Sequence, residues 1–368
     1  VLRAALRLGA RSASLLAGGW LLRALNGTYA SVGALPRDIR PVAQRSLQYA
    51  DGVFVNIEPA SPGISMSSEE WRMLIAEMVG SRAASRPGGP IPLAEPADGE
   101  AEACAVSWYG HSTALLEIDG YRVLTDPLWS RRCSPSQVVG PQRLHEPPLP
   151  LEALPAVDAV LISHDHYDHL DVDTVLGLAR TQRAPFLVPL GIGAHLRKWR
   201  IPEERIIELD WNESHRIGDL TLVCTPARHF SGRLFQRNTT LWASWAIIGR
   251  QHRAFFGGDS GYTKSFSEIG SEYGPFDLTL LPVGAYHPSW PDIHMNPEDA
   301  VRAHLDVTDS GLLVPIHWAT FRLAPHPWAE PVRRLLTAAD PAGVQIAVPR
   351  PGQRVDAGSP VVDPWWEL

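Results

Sequence analysis

The chain has 368 residues, 45% of them apolar and 20% charged, the balance of a globular protein long enough to bury a core without covalent staples. Its three cysteines, Cys104, Cys133 and Cys224, are odd in number and form no C-x-x-C pair, which argues against a thiolate zinc knuckle and a disulfide framework. The net charge of −7 is uneven: residues 1–37 contribute +5 and no acid, so the remaining 331 residues carry −12, a poor match for nucleic acid.

In the first segment Arg3, Arg7 and Arg11 are four apart and share one helix face, while Leu2, Leu6, Leu15, Leu16, Trp20, Leu21 and Leu22 supply apolar surface. Three readings stand: a basic helix lying on a membrane, a signal peptide, and a helix packed on the body. A spanning helix is disfavoured, because only about 11 residues separate Arg11 from Arg23 and a span needs roughly 20. Ser67 or Ser68 then caps a predicted helix with Trp71, Leu74, Ile75 and Met78 at helical spacing. Residues 83–99 are rich in Pro, Gly and Ala and read as a linker or a wrapping arm. The expected organisation is an N-terminal helical segment and arm over residues 1–100, then a catalytic domain over 101–368.

Beyond residue 104, strand-like runs begin at Ala105, Thr113, Tyr121, Ala159, Phe186, Leu220, Leu241, Arg253, Leu278 and Gly311. Asp119-Gly120 marks a hairpin turn. Helices are predicted from Asp171 to Arg180 and after Asn296, where Pro297 suits a first turn. Strands alternating with helices imply a layered α/β fold.

The densest chemistry is Ser163-His-Asp-His-Tyr-Asp-His, directly after an apolar strand. His164 and His166 are two apart, so in extended backbone both rings point the same way and can share one metal. Asp168 and His169 follow where the chain turns into a helix, within reach of a second metal. Imidazole and carboxylate without thiolate suit Zn, with Fe, Mn or Ni as substitutes. Further ligand types follow other strands: His229, Asp259 after two glycines, and His317.

These motifs resemble the metallo-β-lactamase superfamily. Trp108-Tyr-Gly-His-Ser-Thr-Ala-Leu-Leu-Glu, Leu124-Thr-Asp-Pro-Leu-Trp-Ser, Gly257-Gly-Asp-Ser-Gly-Tyr and Ile316-His-Trp-Ala-Thr-Phe narrow the likeness to the N-acyl-phosphatidylethanolamine phospholipase D branch and its bacterial relatives. The resemblance implies a four-layer αβ/βα sandwich holding two zinc ions. It assigns His164, His166 and His229 to the first ion, and Asp168, His169 and His317 to the second, with Asp259 bridging. It also implies attack on a phosphodiester by a hydroxide held between the ions, with Asp168 and Asp259 orienting it. His294 falls where the branch places an active-site histidine, although Pro291-Asp-Ile-His-Met differs from the branch pattern.

Asp126 reads either as a partner that orients a ligand imidazole or as a turn residue before Pro127. Tyr167, Tyr286, His287 and Arg228 are candidate substrate contacts, and Trp129 and Trp318 candidate acyl contacts, although aromatics in such settings are more often core. His111 and His304 read as buried structural histidines. The expected activity is a phospholipase D-like cleavage, with a lactonase or other small-molecule metallo-hydrolase as the alternative. The expected location is cytoplasmic with peripheral membrane contact through residues 1–37, and a homodimer is an expected assembly.

Overall fold

A computed structural model describes residues 20, 24–25, 27–60, 67–97, 99–234 and 236–368. The expectations placed on residues 1–25 lie almost wholly outside this set. Among the described residues no helix is long and apolar enough to cross a membrane.

Two seven-stranded sheets form the body. In spatial order the first holds Arg354–Asp356, Cys104–Gly110, Thr113–Ile118, Tyr121–Thr125, Ala159–Leu161, Phe186–Pro189 and Ile206–Leu209. The second holds Gln345–Ile346, Leu312–Ile316, Leu278–Pro282, Arg253–Phe256, Ser244–Ile248, Leu220–Thr225 and Ser214–Ile217.

Strand alternation explains the layering. Val106, Leu116, Val123, Leu161 and Leu187 face the second sheet and join its Leu222, Trp245, Phe255, Leu280 and Val314 in one core. The intervening Leu115, Leu124, Val160, Phe186 and Val188 face outward and pack on helices Val172–Thr181 and Ile192–Lys198 through Val175, Leu178, Ile192 and Leu196. Helices Ser265–Tyr273, Pro297–Val307 and Glu330–Ala342 contribute Phe266, Ile269, Val301, Val332 and Leu335 to the second sheet's side of the main core. Helix, sheet, sheet and helix make the αβ/βα sandwich.

Several sequence expectations meet the structure closely. Ser67 accepts from Glu70 N while Glu70 reaches back to Ser67 N, a reciprocal cap for helix Ser68–Gly80. Asp171 caps the helix that follows the histidine cluster, and Asn296 caps Pro297–Val307. The Pro/Gly arm wraps the body: Ala94 N donates to Pro351 O, and Ser85 Oγ to Pro325 O.

Other elements depart from expectation. The strand expected from Leu241 starts at Ser244, because Leu241 N and Ala243 N bond across to Leu190 O and Ser163 O instead. Helix Glu330–Ala342 carries Pro331 and Pro341 near its two ends, which hides it in the sequence.

Parallel pairing sets the site. Thr125 pairs with Leu161 in the first sheet, and Pro282 with Ile316 in the second. The loops after these strands therefore emerge at one edge of the sandwich, as loops on a rigid base do.

Candidate metal centre

The loop after Ala159–Leu161 folds into a tight turn, with His169 N and Leu170 N both bonded to His166 O at 3.1 and 2.8 Å. It carries His164, His166, Asp168 and His169. His164 Nε2 lies 2.7 Å from His166 Nδ1, and His229 Nε2 lies 3.4 Å from the same atom. These three form one compact ligand-type group, and Asp168, His169 and His317 fall in a second, together with His111.

Asp259 lies between the groups. Its Oδ2 is 3.0 Å from His169 Nε2 and 3.1 Å from His317 Nε2, yet also 3.8 Å from His229 Nε2 and 3.9 Å from His164 Nε2. Gly258 permits this approach: it holds φ +56°, and a Cβ there would meet Ser163 Cβ at 2.7 Å and Ala243 O at 2.9 Å. His317 itself sits at φ 59°, a left-handed conformation that a non-glycine residue holds only under firm support.

The residues fit metal ions by their donor chemistry. His164 Nδ1 is tied to Ser163 Oγ at 2.9 Å, His169 Nδ1 to Asp126 Oδ2 at 2.6 Å, and His229 Nδ1 to Ile293 O at 3.0 Å. In each case this leaves Nε2 as the nitrogen that faces the other ligand-type groups, the arrangement that orients metal-binding imidazoles. His169 Nε2, His317 Nε2 and Asp259 Oδ1 are buried and make no hydrogen bond within the protein. Burial drives the His164 and His229 rings well below the usual histidine range, so both keep a lone pair. Burial opposes ionisation of Asp168 and Asp259, but the surrounding imidazoles outweigh it and hold both carboxyls well below their usual range.

Asp126 is resolved in favour of orientation. Its Oδ1 accepts from Ser163 N at 2.7 Å, and its Oδ2 from Ser163 Oγ at 2.6 Å.

His294 joins the centre. Its Nδ1 is 3.8 Å from Asp259 Oδ2 and its ring centroid 5.2 Å from that of His229. Two cavities open from it. One, of about 450 Å³, is lined by Tyr286, His287, Asn296, His326 and Arg334 among others. The other, of about 290 Å³, is apolar and lined by Trp71, Leu74, Met78, Phe230, Trp290 and Ile293 among others.

The remaining candidates divide. Tyr286 and His287 line the larger cavity, with Tyr286 OH donating to Glu330 Oε1 at 2.5 Å and His287 Nε2 lying 3.1 Å from Glu77 Oε2. Arg228 is engaged by protein: Nε donates to Pro59 O at 3.2 Å, Nη1 to Tyr262 O at 3.3 Å and Nη2 to Asp292 Oδ2 at 3.3 Å. Tyr167 stacks its ring 4.2 Å from the Arg233 guanidinium carbon. Trp318 stacks on Trp108 at 5.9 Å, and Trp129 Nε1 donates to Leu149 O, so both act as packing residues. His304 is buried in its helix against Thr279 Oγ1 at 2.7 Å.

Sequence reasoning missed Arg233, His195 and the role of Asp165. Arg233 Nη1 donates to Asp165 O at 2.6 Å and Leu170 O at 2.9 Å, bracing both ends of the histidine loop. Asp165 Oδ1 accepts from Gly232 N at 2.7 Å, and its Oδ2 lies 3.4 Å from His195 Nε2. No local pattern marks these residues.

Residues 121–318 match the Beta-lactamase superfamily domain. An uncharacterized protein of Mycobacterium tuberculosis (strain ATCC 25618 / H37Rv) is 66% identical over 373 aligned residues that span all of both chains. The N-acyl-phosphatidylethanolamine-hydrolyzing phospholipase D 1 of Caenorhabditis elegans is 38% identical over 227 residues, which cover 58% of this chain and 64% of that protein. Among solved structures, Igni18, a metallo hydrolase from the archaeon Ignicoccus hospitalis, shares the fold with a TM-score of 0.54 at 23% identity, over 68% of this chain and 97% of that one. A matching domain over more than half of the chain, built around this gathering of imidazoles and carboxylates, makes the protein a metal-dependent hydrolase of the β-lactamase superfamily.

Proposed function

We propose that the protein hydrolyses a phosphodiester bond in a lipid of the N-acyl-phosphatidylethanolamine type. The observation that carries the reading is the apolar cleft of about 290 Å³ that ends on His294, next to Asp259. A cleft lined by Trp71, Leu74, Ile75, Met78, Phe230 and Ile293 suits an acyl chain. Helix Ser68–Gly80, which forms one wall, also leaves Trp71, Ile75 and Val79 exposed at four-residue intervals. That ridge suits contact with a lipid layer, in addition to any made by residues 1–37.

His164, His166 and His229 would hold one ion, and Asp168, His169 and His317 the other, with Asp259 shared between them. Zinc is the proposed metal, given all-nitrogen-and-oxygen donors, with iron or manganese as substitutes. When bound, two such ions supply Lewis acidity to an attacking water and to the phosphoryl oxygens. The protein's part is geometric and electrostatic. Asp168 and Asp259 fix the charge of the centre. His294 sits where the cleft meets Asp259, and donates a hydrogen bond to a non-bridging phosphoryl oxygen. In the hydrolysis the oxygen of the attacking water forms a new bond to phosphorus as the phosphorus–oxygen bond to the departing alcohol breaks. The proton lost by that water ends on the alcohol oxygen, which leaves neutral; the apolar wall keeps bulk water away from the ester.

The test is a side-by-side panel on the metal-loaded full chain: a long-chain N-acyl phosphatidylethanolamine, its de-acylated analogue, and homoserine and sugar lactones. Release of N-acylethanolamine as the preferred reaction supports the reading. Lactone turnover without phospholipid turnover would replace it with the lactonase reading. Flotation with liposomes, with and without residues 1–37, measures how much of any membrane contact that segment contributes.

A further inference from the structure

His111 lies at the turn between strands Cys104–Gly110 and Thr113–Ile118, where the register shifts between Trp108 and Gly110. Two successive residues take left-handed backbone there, Gly110 at φ 107° and His111 at φ 54°. Gly110 has no room for a side chain: a Cβ would meet His145 Cε1 at 2.7 Å and Thr320 Oγ1 at 2.9 Å. A non-glycine residue in this conformation needs firm support from its surroundings.

The support comes from three directions. His111 N donates to Thr320 Oγ1 at 2.7 Å. Its carbonyl accepts from Trp108 Nε1 at 2.8 Å and from His317 N at 3.0 Å. The ring is buried, with its centroid 4.1 Å from that of His317 and 5.3 Å from that of Phe321. Its Nε2 reaches Asp168 Oδ2 at 3.0 Å. One residue thus holds the side chain of Asp168 and the backbone of His317, which come from different sheets.

We propose that His111 is the positioning residue of the second half of the metal centre. Its Nε2–H donates to Asp168 Oδ2 and fixes the carboxylate, which lies 3.4 Å from His169 Nε2 and 3.5 Å from His317 Nε2. Its carbonyl fixes His317 in the left-handed backbone that brings the ring to Asp259. The carbonyl contact belongs to the backbone and the Asp168 contact to the imidazole, and both converge on groups assigned to the same ion. The inference rests on the two-ion reading of the site.

The experiment is a zinc titration of the full chain, stripped with chelator and then reloaded in competition with a chromophoric chelator. It is run on wild type, His111→Phe and His111→Gln, with thermal melting of each stripped protein alongside. Wild type should bind two ions; failure to do so overturns the two-ion reading and this proposal with it. His111→Phe, which cannot donate to Asp168, should keep the first ion and weaken the second by about 10–100-fold, the usual effect of losing a ligand's hydrogen-bond partner. His111→Gln, whose amide N–H can still reach the carboxylate, should keep the second ion within about tenfold of wild type. Equal loss of the second ion in both variants would make His111 a direct ligand and overturn the positioning role. Two tightly held ions in His111→Phe, with only the melting temperature lowered, would make it a packing residue and overturn the proposal as well. If His111→Phe fails to fold, His111→Leu, which also cannot donate to Asp168, takes its place beside His111→Gln, with the same supporting and overturning results.

Discussion

Asp126 Oδ2 lies 2.6 Å from Nδ1 of His169, and both side chains are fully buried. The bond fixes which nitrogen of His169 faces Asp168 and Asp259. Through Ser163, whose hydroxyl touches both Asp126 Oδ2 and His164 Nδ1, the same carboxylate also steadies a histidine of the other ligand group. One residue outside the ligand set therefore orients both halves.

The consequence is testable with Asp126→Asn, which preserves volume but puts an amide N–H or a weaker acceptor opposite His169. Zinc affinity is expected to fall about 10–100-fold, and hydrolysis at limiting zinc to fall with it. Competition with a chromophoric chelator measures the first and a zinc-dependent rate curve the second. Affinity unchanged from wild type would show that His169 needs no such partner.

The histidine cluster was legible because H-x-H-x-D-H is contiguous and follows a short, continuous apolar run that reads as a buried strand. The alternation of strand-like runs with helices made a layered α/β fold legible, and the resemblance implied the sandwich, whereas the division of Val106, Leu116 and Leu161 from Leu115, Leu124 and Val160 between two cores appears only in the structure. What adjacency along the chain could not give was direction. Arg228 and Tyr167 sit beside ligands in sequence, yet Arg228 binds the Pro59 carbonyl and Tyr167 packs on Arg233. Neighbours in a loop point to different sides, so proximity in sequence is a poor guide to who faces the substrate. The cleft was equally hidden, because its walls come from residues as far apart as Trp71 and Leu323.

Arg233 illustrates a dependence on long-range contact. It is 1% exposed, and its Nε bonds to Ser31 O at 2.7 Å, 202 residues away, while Nη1 holds Asp165 O and Leu170 O. Arg233→Met would leave three carbonyls without these donors. The expected loss of unfolding free energy is about 3–5 kcal/mol, read from the urea midpoint of the metal-free chain. A loss below about 1 kcal/mol would mean that water replaces the guanidinium without cost.

His304 gives a pH dependence remote from the ligands. It is 2% exposed, and burial pushes its ring from 6.5 down to about 4. Above pH 6.5 the ring is neutral in both folded and unfolded chains, and its contribution is fully present. As pH falls from 6.5 towards 4 the unfolded chain takes up a proton that the folded chain refuses, so stability declines by about 3 kcal/mol over that window. His304→Gln keeps a partner for Thr279 Oγ1 without the titration. The difference in unfolding free energy between wild type and variant should therefore shift against wild type as pH drops from 7 to 4. A difference independent of pH would place the His304 pKa near its ordinary value.

The apolar cleft separates a lipid substrate from a small polar one. Met78 lines it from helix Ser68–Gly80 and is partly buried against Leu74, Trp290 and Ile293. Met78→Trp adds an indole to a cavity of about 290 Å³, which leaves less room for an acyl chain. Lost apolar contact of this size is worth about 1–3 kcal/mol, so kcat/KM for a long-chain N-acyl substrate should fall at least about tenfold relative to a short-chain one. The ratio is the informative quantity, because general damage to the centre lowers both values together. An unchanged ratio would mean that the acyl chain lies elsewhere, and would remove the observation on which the lipid reading rests.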